Sequence, residues 1–144
     1  MIFKTEPADF KKEIDVVGCF VNSGGKFILL HRQPNKVSGG EWGFPAGKID
    51  KGETMSRAMQ REIFEETGLQ ISEDNLKFLG SIFVRNEGHD FGFHMFSTTL
   101  PSQMEVVVNP SEHKASAWVS AAEALKMDFI YGLDDCIELF YQEE

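Results

Sequence analysis

Residues 54–66 hold neither glycine nor proline, and Gly68 stands just past their end, so this segment reads as a helix with a defined stop. Wound at roughly 100° per residue, it carries Met55, Met59 and Ile63 on one stripe, with Ala58 beside them. An apolar stripe of this kind must be set against another layer. The stripe is then interrupted. Glu66 projects into it and Glu62 sits on its edge, while Glu65 lies on the flank of Ala58. Arg57, Arg61 and Phe64 fall on the far side.

This placement works against the helix. Like charges at i,i+4 cost a few tenths of a kcal/mol, and negative charge near a helix C-terminus opposes the macrodipole. Desolvating a carboxylate costs several kcal/mol more unless it is paired or binds a metal. No Lys or Arg stands at i±3 or i±4 on that face to neutralise Glu66, so the pattern predicts two carboxylates without a cationic partner. A solvated helix end accounts for Glu65, but not for Glu62 and Glu66. Clustered hard oxygens select Mg²⁺, Mn²⁺ or Ca²⁺ over Zn²⁺. Mg²⁺ is usually held by one or two carboxylates plus substrate phosphates. The expected cofactor is therefore Mg²⁺, with Mn²⁺ as a substitute.

The rest of the chain reads as strands and short helices. Residues 14–21 read as a strand buried on both faces, turning at Gly24-Gly25 into a returning strand over 26–32. A polar loop over 33–41 and a short apolar segment at 42–45 follow. Strands are expected over 76–85, 90–100 and 114–119, with a turn at 86–89 and a strand or loop at 104–108. A capped helix is expected over 120–126, with Ser120 as N-cap and Glu123 three residues on, and an amphipathic helix over 133–141. No linker, repeat or low-complexity tract divides the chain, so residues 1–144 read as a single domain, α/β or α+β, with helices covering a mostly mixed β-sheet. Gly24-Gly25 and Gly39-Gly40 read as turn glycines.

The net charge of −9 disfavours nucleic acid and anionic membranes as partners. The partner expected is a small anionic substrate reached through cations. Cys19 and Cys136 lack metal-ligand spacing and read as reduced, buried thiols, which fits a cytoplasmic location. The N-terminus lacks a signal-peptide pattern, and no apolar run is long enough to span a membrane. A monomer or homodimer is expected.

Gly47, Glu53 and the run Arg61-Glu62-Ile63-Phe64-Glu65-Glu66-Thr67-Gly68-Leu69 resemble the complete signature of the Nudix hydrolases. Every fixed position of that 23-residue pattern is filled, and Trp42-Gly43-Phe44-Pro45-Ala46 resembles its usual lead-in. The resemblance implies an α/β/α sandwich and hydrolysis of a nucleoside diphosphate linked to another moiety, by attack of water on phosphorus. By position it implies that Glu62, Glu65 and Glu66 bind the divalent metal and that the Ala46 carbonyl adds a ligand. The family more often has glycine at Ala46. It also implies that Arg61 holds a glutamate, Glu53 being the partner expected, and that Gly47 and Gly68 shape the loop–helix–loop. In a number of Nudix proteins a glutamate in a late loop acts as base or extra ligand. Glu112 is the candidate here, with Glu105 and Glu87 as rivals.

Arg32 and Lys48 are candidates to contact phosphate, and Trp42 and Phe44 to stack on a base. Trp118 either packs in the core or borders a base pocket. His31, His89, His94 and His113 form no zinc-spaced set and read as surface or core residues. The short chain leaves little room for a specificity domain, which favours a nucleoside triphosphate, canonical or oxidised. A nucleotide sugar, ADP-ribose or a dinucleoside polyphosphate are the alternatives. A non-catalytic nucleotide-sensing domain would be expected to lack signature carboxylates, and none is lost. An RNA 5′-end pyrophosphohydrolase would want a basic face.

Overall fold

Two neighbouring strands carry apolar residues on both faces, and this sets the layout. The computed structural model describes residues 1–142, so the last two residues of the expected 1–144 domain lie outside the described residues. The elements run β1 (Ile2–Phe3), β2 (Lys12–Ser23), β3 (Lys26–Arg32), β4 (Trp42–Gly43), β5 (Ala46–Lys48), α1 (Met55–Thr67), a 3₁₀ turn (Glu73–Asn75), β6 (Lys77–Asn86), β7 (His89–Thr99), β8 (His113–Val119), α2 (Ala121–Ala124) and α3 (Leu133–Phe140). Along β2 and β3, Val17, Cys19, Val21, Ile28 and Leu30 face one way and pack with Ala58, Met59 and Ile63 of α1. Phe20, Phe27 and Leu29 face the other way and pack with Leu133, Cys136 and Ile137 of α3. Strands buried on both faces need a helical layer on each side, and the result is the expected α/β/α sandwich.

The sheet is mixed. Its order is β1-β6-β7-β2-β3-β4, with β5 also paired to β2 and β8 to β3. β2 and β7 run parallel from Lys12 with Asp90 to Asn22 with Thr99. The pairings of β2 with β3 and β5, of β6 with β7 and of β3 with β8 are antiparallel. Gly47 of β5 lies beside Val17 and Ala46 beside Gly18, which delivers the loop before α1 to the sheet.

Several boundaries differ from the sequence reading. The helix expected over 54–66 starts at Met55, because Thr54 is its N-cap and accepts from the Arg57 amide. Only Trp42–Gly43 of the apolar segment at 42–45 is strand, with β5 following at Ala46–Lys48, and of the two alternatives for residues 104–108 the structure has the loop. The helix expected over 120–126 is helical only over Ala121–Ala124, although its capping box forms as expected. β1 went unread, since two residues carry no periodicity. Both cysteines are free and buried, as expected.

α1 ends on Gly68, whose φ of 76° places it in the left-handed region while its amide donates to the Phe64 carbonyl. A methyl group there would meet nothing nearer than Val107 Cβ at 3.6 Å, so space is available. Gly68→Ala should therefore cost only the backbone strain of a left-handed alanine, about 1 kcal/mol. A fall of roughly 3–4 °C in the thermal midpoint is expected, and an unchanged midpoint would show that this cap is not what ends the helix.

Candidate active site

β5 and the C-terminal half of α1 build the site together. The Ala46 amide donates to Glu66 Oε1 at 2.8 Å. Glu66 is only 9 % exposed, and among the described residues the Ala46 amide is its hydrogen-bond partner. Burial pushes its carboxyl well above the ordinary glutamate range; the Ala46 amide pulls it back, while Glu62 and Glu112 add like charge. Beside it, Gly47 has no side chain for a steric reason. A Cβ there would stand 2.1 Å from Glu62 Cδ, so only glycine lets β5 pass this close to the Glu62 carboxyl. Burial also raises the Glu62 carboxyl, and Arg61 opposes it.

Arg61 is partly exposed, and its guanidinium folds back toward the loop before α1. Its Nε and Nη2 grip the two oxygens of Glu53 at 2.8 Å each. Nη1 donates to Glu62 Oε1 at 2.8 Å, and Nη2 donates to the Lys48 carbonyl at 3.0 Å. The expectation that Glu62 lacks a cationic partner is thereby corrected. Helical spacing describes where Cα atoms lie, whereas a long guanidinium stem can fold back over the preceding loop. Glu53 also accepts from the Asp50 amide at 2.8 Å, and the Arg61 guanidinium holds its carboxyl down at about 2. Glu65 reaches Arg61 at 3.4 Å from a half-exposed position.

A cleft of about 560 Å³ opens from this point. Ala46, Gly47, Lys48 and Glu66 line one end, and Val16, Phe44, Ile82, Val84, Phe91 and Phe93 form apolar walls. Arg32, Glu87 and Tyr131 also line it. Arg32 Nε donates to the Val37 carbonyl at 2.7 Å. Phe44 is a buried ring, edge-on to Phe20 at 4.9 Å, so it forms wall rather than an exposed platform. Trp42 stacks on His31 at 4.4 Å, and Trp118 Nε1 donates to the Met104 carbonyl. Glu112 is not part of the lining; it pairs with Lys36 at 3.7 Å, and Glu105 is an exposed residue outside the cleft.

Two arrangements were not legible in the sequence. His113 is 3 % exposed and lines the cleft, and its Nδ1 has no hydrogen-bond partner. Burial, then the Arg32 charge, lower its imidazole to about 4, so it is neutral at pH 7. On β6, β7 and β2, Ser81 Oγ, His94 and Asp15 form a hydrogen-bonded chain of 2.6 and 2.9 Å. This chain lies outside the cleft lining. Alternation along a strand shows which residues share a face, but not that three neighbouring strands align them.

Among the described residues no three acidic, His or Cys side chains already converge as a metal site. Glu62 instead turns to Arg61, and Glu66 to the Ala46 amide. The donor set still fits a hard divalent cation. It is all oxygen, it contains a nearly buried carboxylate with no ion pair among the described residues, although the Arg32 charge acts on it, and a bound cation would reverse the cost that burial imposes on Glu66.

A family model described as the NUDIX domain matches residues 12–140. A CTP pyrophosphohydrolase of Escherichia coli is 27% identical over 117 residues, covering 80% of this chain and 82% of that protein. A phosphatase, NudJ, of Shigella boydii is 28% identical over 117 residues, covering 81% and 74%. The crystal structure of a MutT protein from Methanosarcina mazei superposes with a TM-score of 0.76 at 25% identity, covering 89% of this chain and 92% of that one.

The Glu66 carboxyl carries a pH signature in metal-free protein. Its folded pKa lies above the unfolded value near 4.5. The penalty is therefore absent below that value and grows as pH rises toward the folded pKa. Glu66→Gln removes it. The stability of the variant relative to the parent, measured by thermal melting in chelator, should increase as pH rises above about 4.5. A pH-independent difference would mean that Glu66 is not desolvated.

Proposed function

Since this chain belongs to the Nudix hydrolases, enzymes that act on phosphorus-containing anhydrides, we propose that it cleaves the diphosphate linkage of a nucleoside triphosphate, canonical or oxidised, with Mg²⁺ as cofactor and Mn²⁺ as substitute. The observation that carries this reading is the buried Glu66 carboxylate at one end of an aromatic-walled cleft. A diphosphate belongs at the carboxylate end and a base between the apolar walls. The name of the Escherichia coli relative, a CTP pyrophosphohydrolase, supports a nucleoside triphosphate.

Glu62, Glu65, Glu66 and the Ala46 carbonyl would hold the cation. Bound there, Mg²⁺ supplies positive charge that neutralises phosphate oxygens and keeps the carboxylates ionised. The residues of the chain do the rest. Arg61 and Glu53 lock the loop before α1, so that the Ala46 carbonyl and Glu66 stay in register. Arg32 and Lys48, on the cleft wall, contact phosphate oxygens. Phe44 and its neighbours exclude water from the bond that breaks. Glu112, whose charge is felt at Glu66, accepts the proton of the attacking water. Free, buried thiols suit a reducing cytoplasm. Among the described residues no helix is long and apolar enough to cross a membrane.

The test is a panel of nucleoside triphosphates, nucleotide sugars, ADP-ribose and dinucleoside polyphosphates with Mg²⁺ or Mn²⁺, with products resolved to show which bond breaks. Turnover of a triphosphate to monophosphate and pyrophosphate is expected; hydrolysis confined to another class would reassign the substrate. EDTA should abolish activity, and Zn²⁺ should restore it poorly. Glu66→Gln should lower turnover on the order of 10³-fold, and Glu112→Gln roughly 10²-fold with little change in substrate affinity. Full activity after exhaustive chelation would rule out the metal site.

A further inference from the structure

The loop over residues 33–41 touches the cleft on one side and the Glu112 loop on the other. On the cleft side, Val37 and Ser38 are part of the lining. Ser38 has φ 56°, a left-handed conformation that a non-glycine residue holds only when its surroundings impose it. Arg32 supplies part of that constraint, since its Nε donates to the Val37 carbonyl at 2.7 Å and its own carbonyl accepts from the Gly40 amide at 3.2 Å. On the other side, the Gln33 amide donates to the Glu112 carbonyl at 3.0 Å and Gln33 Nε2 donates to the Pro110 carbonyl at 2.9 Å. Lys36 Nζ then stands 3.7 Å from Glu112 Oε1.

The backbone around Glu112 is fixed without Lys36. The Asn109 carbonyl accepts from the amides of both Glu112 and His113, and His113 is anchored in the cleft wall. What the backbone leaves open is the direction of the Glu112 side chain, and its ion-pair partner is Lys36. We propose that Lys36 is a positioning residue, through which the cleft-lining loop 33–41 sets the Glu112 carboxylate for proton transfer. This rests on the reading of Glu112 as the base. Contact of a substrate with Val37 and Ser38 bears on the same short loop that holds Lys36, so filling the cleft and aiming the base are coupled.

The pair is solvent-accessible, with side chains 34% and 41% exposed. Such a pair contributes little to folding. A structural role would therefore leave activity unchanged, whereas a positioning role moves the rate and not the melting point. The experiment compares Lys36→Met, Lys36→Arg, Glu112→Gln and the Lys36→Met/Glu112→Gln double variant in steady-state kinetics with the best substrate of the panel, alongside thermal melting. Lys36→Met should lower kcat about 10-fold, the scale of a misplaced catalytic group, with KM within about 2-fold and an unchanged melting point. Lys36→Arg should restore most of the rate. The double variant should be no slower than Glu112→Gln alone, because a residue acting through Glu112 has nothing left to act on. Losses that multiply in the double variant would overturn the proposal, as would a wild-type kcat in Lys36→Met. If Glu112→Gln is itself silent while the parent enzyme hydrolyses the substrate, the base assignment falls and this inference falls with it. If Glu112→Gln is slow and Lys36→Met is not, this inference alone fails.

Discussion

The Arg61 guanidinium ties together three pieces of chain around the site: β5, the loop before α1 and α1 itself. It grips Glu53 with two parallel hydrogen bonds, caps the Lys48 carbonyl and touches Glu62. A bidentate arginine–carboxylate pair has strict geometry as well as strength. Loop 49–54 is thereby fixed over the start of α1, and β5 over its end. The clamp adds to the Ala46–Glu66 hydrogen bond and the β2–β5 pairing in setting Gly47 and Ala46 relative to Glu62 and Glu66. At Gly47 a methyl group would displace the Glu62 carboxyl from the position it holds beside β5.

The sheet sets where that clamp stands. β2 is the common member, with β7 parallel on one side and β3 and β5 on the other at different levels. Because β5 joins β2 near Val17, the strand that supplies the Ala46 amide is rooted in the middle of the core. The same alternation that sends Val17 and Cys19 toward α1 sends Phe20 toward α3, and β7 lines the cleft with Phe91 and Phe93. The walls of the cleft are thus the exposed continuation of one core layer.

Much of this was legible because it is local. Helix α1, its Thr54 and Gly68 ends, the Ser120 capping box and the doubly buried β2 follow from spacing and turn chemistry over a few residues. So does the conflict between an apolar stripe and Glu62 with Glu66. The parts that were not legible depend on distant strands. Asp15, Ser81 and His94 become one hydrogen-bonded chain only when β6, β7 and β2 lie side by side. The link between Lys36 and Glu112 needs β3 beside β8, which places the loop after the one next to the loop before the other. The Arg61–Glu62 pair was missed because a wheel carries no information about where a long side chain folds.

The two glutamates most tied to the site respond to pH in opposite senses, and this bears on how an acidic cluster survives without a cation. Glu53 is held at about 2 by Arg61, so the stability it lends is fully present above its ordinary value near 4.5 and is lost only as pH falls toward 2. Glu66 is shifted upward by burial, so its penalty appears only as pH rises above about 4.5. At neutral pH both are in force. Glu53 with Arg61 then holds the scaffold, while Glu66, bonded to the Ala46 amide, carries the cost of burial. Such an arrangement leaves its most desolvated carboxylate on the lining of the cleft, where a bound cation would relieve it. On the proposed reading, relief of the burial cost at Glu66 would add to the free energy of cation binding.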